Sequence, residues 1–159
     1  MQKILIFTSL FLLMLVSCRP NEDFKPLGEP FDQVKGIKGT FKLAKVEQVD
    51  ELSSSLVKTL DVSDYCVGDN PMTLSFAIDS PQVVSINPGN SADFLSDGAS
   101  SLTWEYDRND APSYLTLSNG TQWNLLKPIR EFDKQLFLQL SKTYQGKKAI
   151  TYKFTFHRI

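Results

Sequence analysis

The stretch Ile37-Lys38-Gly39-Thr40-Phe41-Lys42-Leu43-Ala44-Lys45-Val46 alternates between apolar and polar residues as far as Leu43, and then the alternation changes phase. Up to that point the small and apolar residues share one face of a strand and the polar residues share the other. Beyond it, Ala44 and Val46 take the opposite parity. Because a slip of one residue turns side chains to the other face, it predicts a β-bulge or a sharp bend. A long, bent first strand is what the closure of a sheet into a barrel requires.

Strand-sized segments separated by turns follow over the rest of the chain. They alternate apolar with polar residues, and one pair is joined by Asn119-Gly120, a strong hairpin signal. These expected strands lie at 72–78, 83–86, 102–106, 115–117, 123–125, 136–140 and 150–156. With the first strand they make about eight, and no longer repeat is visible. The pattern predicts an all-β domain, either an antiparallel barrel or a sandwich.

One segment near the start interrupts the alternation. Leu52, Leu56 and Leu60 recur every four residues, with Asp50 placed as a helix cap. This spacing predicts one short amphipathic helix over 50–62, after the first strand.

The N-terminus carries the pattern of a secretory signal peptide. Lys3 precedes an apolar run over residues 4–16, and the small residue Ser17 follows it. A bilayer span needs about 20 apolar residues, so the short run favours cleavage over a membrane anchor. Leu15-Val16-Ser17-Cys18 resembles the lipobox of bacterial lipoproteins, in which the cysteine is acylated and becomes the mature N-terminus. The resemblance implies a signal peptide over 1–17 and a membrane partner held through an acylated Cys18.

Residues 18–36 are rich in proline and charge and are expected to form a lipid-anchored tether ahead of a domain at 37–159. Residue 19 is Arg rather than the Asp of the usual inner-membrane retention signal of enteric-type bacteria. This favours the outer membrane, on its periplasmic or surface face. Asn21-Glu22-Asp23 has two interpretations, an acidic export tag like those of Bacteroidetes surface lipoproteins or a plain hydrophilic tether.

Charge and cysteine content exclude several classes of protein. The 159-residue chain has a formal net charge of −1, and its basic residues are scattered singly apart from Lys147-Lys148. Nucleic acid is therefore not an expected partner, since phosphate binding needs clustered Lys and Arg. If Cys18 is consumed as a thioether, Cys66 is the only thiol left and no intramolecular disulfide can form.

Two regions of the domain carry a family resemblance. The segment Gly36–Leu43 resembles the opening Gly-x-Trp strand of lipocalin-like domains, with Phe41 in the tryptophan place. The continuation 46–51 and the end 150–156 are similar to lipocalin-like lipoproteins of Bacteroidetes, families of largely unknown function. The likeness spans 37–159 and implies a calycin-type, up-and-down antiparallel β-barrel of about eight strands. It implies no agreed ligand and no catalytic residues, and fold likeness does not transfer function.

No residue set in the chain predicts catalysis. Glu105 and Asp107 share one strand face, but they alternate with apolar residues and are expected to face water rather than a cleft. The only histidine, His157, has outward parity in the last expected strand, so a buried, inert Cys66 is favoured over a catalytic thiol. No phosphate loop or metal-spaced cluster occurs. The sequence predicts a protein that is not an enzyme and has no cofactor and no metal.

Inward-facing aromatic residues make binding the better-supported function. They either line a small cavity or simply fill the core, as inward aromatics usually do. The possible ligand-lining residues are Phe41, Phe76, Trp104, Tyr106, Trp123, Tyr152 and Phe154.

Three hypotheses follow, and the sequence identifies no protein partner. The first is a cell-envelope lipoprotein that binds a small apolar or glycan-like ligand. The second is a structural or accessory subunit of an envelope complex, with a filled barrel. The third is an envelope hydrolase, which would need acids that converge in a cleft.

Overall fold

A computed structural model describes residues 33–52, 59–108 and 112–159 of the chain. All of them belong to one compact unit, Phe31–Ile159. The helices are α1 (Gln33–Ile37) and α2 (Ser63–Cys66). The strands are β1 (Gly39–Asp50), β2 (Thr59–Asp61), β3 (Thr73–Ala77), β4 (Val83–Asn87), β5 (Ser101–Tyr106), β6 (Tyr114–Leu117), β7 (Gln122–Leu125), β8 (Gln135–Tyr144) and β9 (Lys147–Arg158).

The sheet closes into an antiparallel barrel, as the alternation predicts. Strands β3 to β9 pair each with the next in chain order, and β1 pairs with β3 on one side and β9 on the other. This up-and-down order makes a closed eight-stranded barrel. Such a barrel fits a lipocalin-like architecture. The three-residue β2 pairs with the second half of β1, from Glu47 to Val49. Closure removes the open edges that would otherwise invite aggregation.

The phase change in β1 is a β-bulge, which confirms the prediction from parity. The register between β1 and β9 shifts between Leu43 and Lys45. Ala44 is exposed, whereas Leu43 and Val46 are both buried. The bulge lets one strand turn with the wall of the barrel and still point apolar side chains inward on both sides of the bend.

The predicted helix over 50–62 is only loosely matched. Residues 53–58 lie outside the described residues, Asp50 ends β1, and Thr59–Asp61 form a strand. A short helix does follow β1, but it is α2, at Ser63–Cys66. The spacing of leucines at every fourth residue predicted an apolar helix face, but Leu60 is exposed and lies in the strand β2. No helix among the described residues is long and apolar enough to cross a bilayer.

The barrel has two ends, which we name by the helix at each. At the α1 end lie the start of β1, the end of β9 and the loop between β7 and β8. At the α2 end lie the second half of β1, the hairpin at Asn119-Gly120 and the loop after β4. The predicted hairpin is confirmed, and Gly120 has φ +82°, a conformation that only glycine adopts without strain. The hydrophobic core runs between the two ends.

Helix α1 packs against the barrel through Ile37, which is fully buried, and through Gly36. Its first four residues lie within the stretch 18–36 that the sequence analysis assigns to the tether, and Ile37 begins the predicted domain. A Cβ on Gly36 would stand 2.3 Å from the carbonyl oxygen of Ile129, so only glycine allows this approach. The helix is therefore tied directly to the loop between β7 and β8.

Candidate functional site

The aromatic residues proposed to line a cavity all lie in or against the barrel core. Five are buried and two, Tyr106 and Tyr152, are half-buried. The buried five are Phe41, Phe76, Trp104, Trp123 and Phe154. Their alternate positions on different strands bring them together, as inward parity requires.

Phe76 is the centre of this aromatic cluster. Its ring meets those of Phe41, Trp104 and Trp123 edge to face, with centroids 6.0, 5.8 and 6.4 Å apart. Tyr106 packs edge to face on Trp104 at 5.1 Å. Such contacts each contribute about 0.5–1.5 kcal/mol beyond burial of area. Much of the interior is thus filled by side chains.

The two tryptophans differ in what their indole N–H groups meet. Trp123 is fully buried, and its Nε1–H donates to the carbonyl oxygen of Leu95 at 3.1 Å. Trp104 is 1% exposed, and its Nε1 has no hydrogen-bond partner. It is the one buried side-chain nitrogen or oxygen left unpaired among the described residues. An unpaired buried donor costs about 1–3 kcal/mol. A hydrogen-bond acceptor placed beside Trp104 Nε1 would remove this cost.

A loop that we call the mouth loop, Ser91–Gly98, folds into the α2 end of the barrel. Leu95 and Ser96 within it are buried, and Leu95 belongs to the core cluster. Phe94 stacks on Tyr152 of β9 with ring centroids 4.8 Å apart. The mouth loop therefore covers the interior beside Trp123, and a ligand entering from this end would have to displace it.

Asp93 holds the mouth loop in shape. Its Oδ1 accepts hydrogen bonds from the backbone N–H of Leu95 and Ser96, and its Oδ2 accepts from Ser96 Oγ and the Gly98 N–H. Burial alone would raise the pKa of this carboxyl, but the hydrogen bonds outweigh burial and hold its pKa below the ordinary value. Asp93 is therefore a charged acceptor at neutral pH.

Two of the pockets in the described part of the chain are open to solvent. One, of about 530 Å³, is at the α1 end and is lined by Lys127, Pro128, Asp133, Lys134, Gln135, Phe137, His157 and Arg158. The other, of about 690 Å³, is between β7 and β8 toward the α2 end. These two strands pair only at Asn124 with Gln139 and Leu125 with Leu138, so their ladder opens beyond that point. The lining of this second pocket is mainly polar and includes Gln122 and Ser141.

The residues considered for catalysis are not brought together. Cys66 is a buried free thiol at the α2 end, and burial raises its pKa. His157 is exposed at the α1 end, where Nε2 bonds the side chain of Gln135 at 3.1 Å. Glu105 is exposed, whereas the carboxylate of Asp107 accepts the N–H groups of Ser113 and Tyr114 and holds a turn. Among the described residues, no three His, Cys, Asp or Glu side chains are grouped to hold a metal ion.

Arg158 is a key residue that the sequence analysis missed. Its guanidinium lies over the Phe41 ring, 4.5 Å from the centroid. It donates to the carbonyl oxygens of Gly36, Lys38 and Asp133, the last at 3.0 Å. The Phe41 position was singled out from the sequence, but nothing in the local pattern pairs it with a residue at the far end of the chain.

The expected lipid attachment at Cys18 lies outside the described residues. No family model, no curated protein and no solved structure matches this chain.

Proposed function

We propose that this chain is a cell-envelope lipoprotein, anchored through an acylated Cys18, whose barrel binds a small apolar or glycan-like ligand without catalysing a reaction. The signal-like N-terminus and the lipobox-like Leu15-Val16-Ser17-Cys18 support the anchor. A closed barrel is compatible with a binding module. The separation of Cys66 from His157 supports a function that is not catalytic.

The unpartnered Nε1–H of Trp104 is the observation that carries the binding proposal. It is an oriented donor inside an apolar cluster, next to the rings of Phe76 and Tyr106. A ligand that suits this site has an apolar body and one oxygen that accepts the indole hydrogen. Ligand pockets commonly combine many apolar contacts with a few such polar groups.

Native mass spectrometry of protein purified from its host tests this proposal. We expect the barrel to carry the added mass of a small molecule, which denaturation releases. Trp104→Phe keeps an aromatic ring but removes the donor, and it should weaken ligand affinity by roughly 5- to 150-fold, as the loss of about 1–3 kcal/mol implies.

Trp123→Phe is the matched control. This substitution removes the same atoms from the same core. In the wild type, however, the Trp123 N–H already has the Leu95 carbonyl as its acceptor and is not available to a ligand. We expect this variant to keep the added mass, although it loses stability. Equal loss of ligand in both variants would show that Trp104 has no special role, and no added mass in the wild type would overturn ligand binding.

The second candidate function is an accessory subunit of an envelope complex, with a filled barrel. The contacts of Phe76 with three other rings favour it, because they leave the interior well packed. Absence of a co-purifying ligand, together with co-purification of a protein partner in stoichiometric amount, would support this function over the first.

A further inference from the structure

The loop between β7 and β8, residues 126–134, ends in a tight turn that exposes an aromatic ring. The N–H of Asp133 donates to the Arg130 carbonyl at 3.0 Å, and the Arg130 N–H donates to Asp133 Oδ2 at 2.8 Å. This reciprocal pair closes the turn and leaves Phe132 at its tip. Phe132 is 88% exposed, the most exposed of the large apolar side chains described. Leu126, in the same loop, is also exposed.

The turn is held from below, so Phe132 does not fold back onto the barrel. Ile129 is buried in the core cluster, and its carbonyl is in close contact with Gly36 of α1. Arg158 Nε donates to the carbonyl of Asp133, next to Phe132. The structure thus holds the Phe132 ring in water at a fixed position. Covering this ring with another apolar surface would be favourable, because it removes apolar area from water.

The loop carries three cations and two acids, and the two acids, Glu131 and Asp133, lie directly on either side of Phe132. Lys127, Arg130 and Lys134 lie in the same loop, and none of them forms an ion pair with a described carboxylate. Lys127 and Lys134 line the 530 Å³ pocket together with Arg158, whose described partners are carbonyl oxygens rather than acids. Asp133 is the one acid in that lining. Within the pocket Lys127 Nζ lies over the Phe137 ring, 4.4 Å from its centroid. The pocket therefore has a net positive charge, and the loop that supplies Lys127 and Lys134 to it also carries the exposed Phe132 ring.

We propose that the α1 end of the barrel docks on an anionic phospholipid surface, with Phe132 inserted among the headgroups and Lys127 and Lys134 on the phosphates. An exposed aromatic ring in a loop that also carries lysines without ion pairs is a pattern of interfacial membrane contacts. The inference rests on the proposed anchor in one respect. Residues 19–32 between Cys18 and α1 would span at most about 50 Å, so an acylated Cys18 would keep this end near the membrane.

The experiment compares two environment-sensitive labels at opposite ends of the barrel. Full-length protein with Cys66→Ala carries either Phe132→Cys or Tyr65→Cys, because Tyr65 of α2 is 87% exposed and makes a matched control. Each is labelled with a nitrobenzoxadiazole dye and added to phosphatidylglycerol vesicles that contain brominated lipid. We expect a blue shift and several-fold stronger quenching at position 132 than at position 65.

A second pair of variants tests the charges. Lys127→Gln with Lys134→Gln should reduce quenching at position 132, and so should about 0.5 M salt, which screens headgroup attraction. Lys147→Gln with Lys148→Gln removes two exposed lysines at the α2 end and should leave quenching unchanged. An equal response in neutral phosphatidylcholine vesicles would overturn the anionic partner.

Failure of docking and failure of the anchor give different results. If the protein is acylated and floats with the vesicles, but both labels stay equally exposed to water, the docking face is wrong. If intact mass shows no acyl chains, the anchor is wrong, and the same two labels, now on Cys18→Ser protein with excess vesicles, still decide the docking face. A response at position 132 alone supports it, and equal emission overturns it.

Discussion

Arg158 joins three parts of the barrel that are far apart in sequence. Its guanidinium donates to carbonyls of α1, of Lys38 between α1 and β1, and of the loop before β8, and it also covers the Phe41 ring. These carbonyls need donors, and a planar guanidinium can reach several at once. Lysine keeps the charge but offers no planar fork.

We therefore expect Arg158→Lys to lower the free energy of unfolding by about 2 kcal/mol, because charge-assisted hydrogen bonds and the stacking on Phe41 are lost. Urea denaturation followed by tryptophan fluorescence measures this as a lower midpoint at an unchanged m value. Arg130→Lys is the control, since the Arg130 side chain is exposed and has no described hydrogen bond. Identical midpoints for the two variants would contradict the role given to Arg158.

At the scale of an element, the mouth loop covers one end of the core without being a helix or a strand. Loop backbone seldom enters a core, because its polar groups need partners there. Asp93 supplies two acceptor oxygens for three N–H groups and one hydroxyl, and the Leu95 carbonyl accepts from Trp123. The loop can therefore place Leu95 inside.

Asp93→Asn replaces one acceptor oxygen with an NH₂ group that would face the Gly98 N–H or the Ser96 hydroxyl. At pH 7 we expect a loss of about 1–2 kcal/mol in the free energy of unfolding. The pKa of Asp93 is depressed, so its stabilisation is present above the ordinary value of 3.8 and is lost as the pH falls below that value.

The difference between wild type and Asp93→Asn should therefore be constant from pH 7 to about pH 5 and should shrink in stronger acid. Thermal unfolding across that range measures it. Asp69→Asn serves as the control, because Asp69 is exposed and its carboxylate has no hydrogen bond in the described part of the chain. A gap that persists unchanged at pH 3 would rule out the charged-acceptor explanation.

At the scale of the molecule, the proposed lipid would attach to a membrane a barrel whose described residues enclose an apolar core. A single acyl chain binds reversibly, whereas two or more hold a protein durably. Under these proposals the anchor would set the location of the protein, and the barrel would bind the ligand.

Cys18→Ser should release the protein from membranes in its host, because the sulfur that accepts the lipid is gone. The measurement is the fraction that pellets with membranes after a carbonate wash. Cys66→Ala is the control and should stay in the pellet, since this thiol is buried in the barrel. If Cys18→Ser protein still pellets, or if natural protein begins at Met1 without acyl groups, the anchor is wrong.

Local patterns determined the wall of the barrel. Parity along β1 predicted the bulge at Leu43, and turn residues such as Asn119-Gly120 predicted where strands end. Parity also placed Phe41 and Trp104 inside and Glu105 outside. These features were readable because strand periodicity and turn preference depend on residues a few positions apart.

Only the tertiary structure decided what closes the two ends and which polar groups are left over. Arg158 bonds the Lys38 carbonyl across 120 positions, and the mouth loop reaches Trp123 from 28 positions away. The two tryptophans have the same inward parity, yet only Trp104 lacks an acceptor. Periodicity fixes the direction of a side chain but not the distant atom that it meets, and that atom decides whether a buried donor is satisfied or free to hold a ligand.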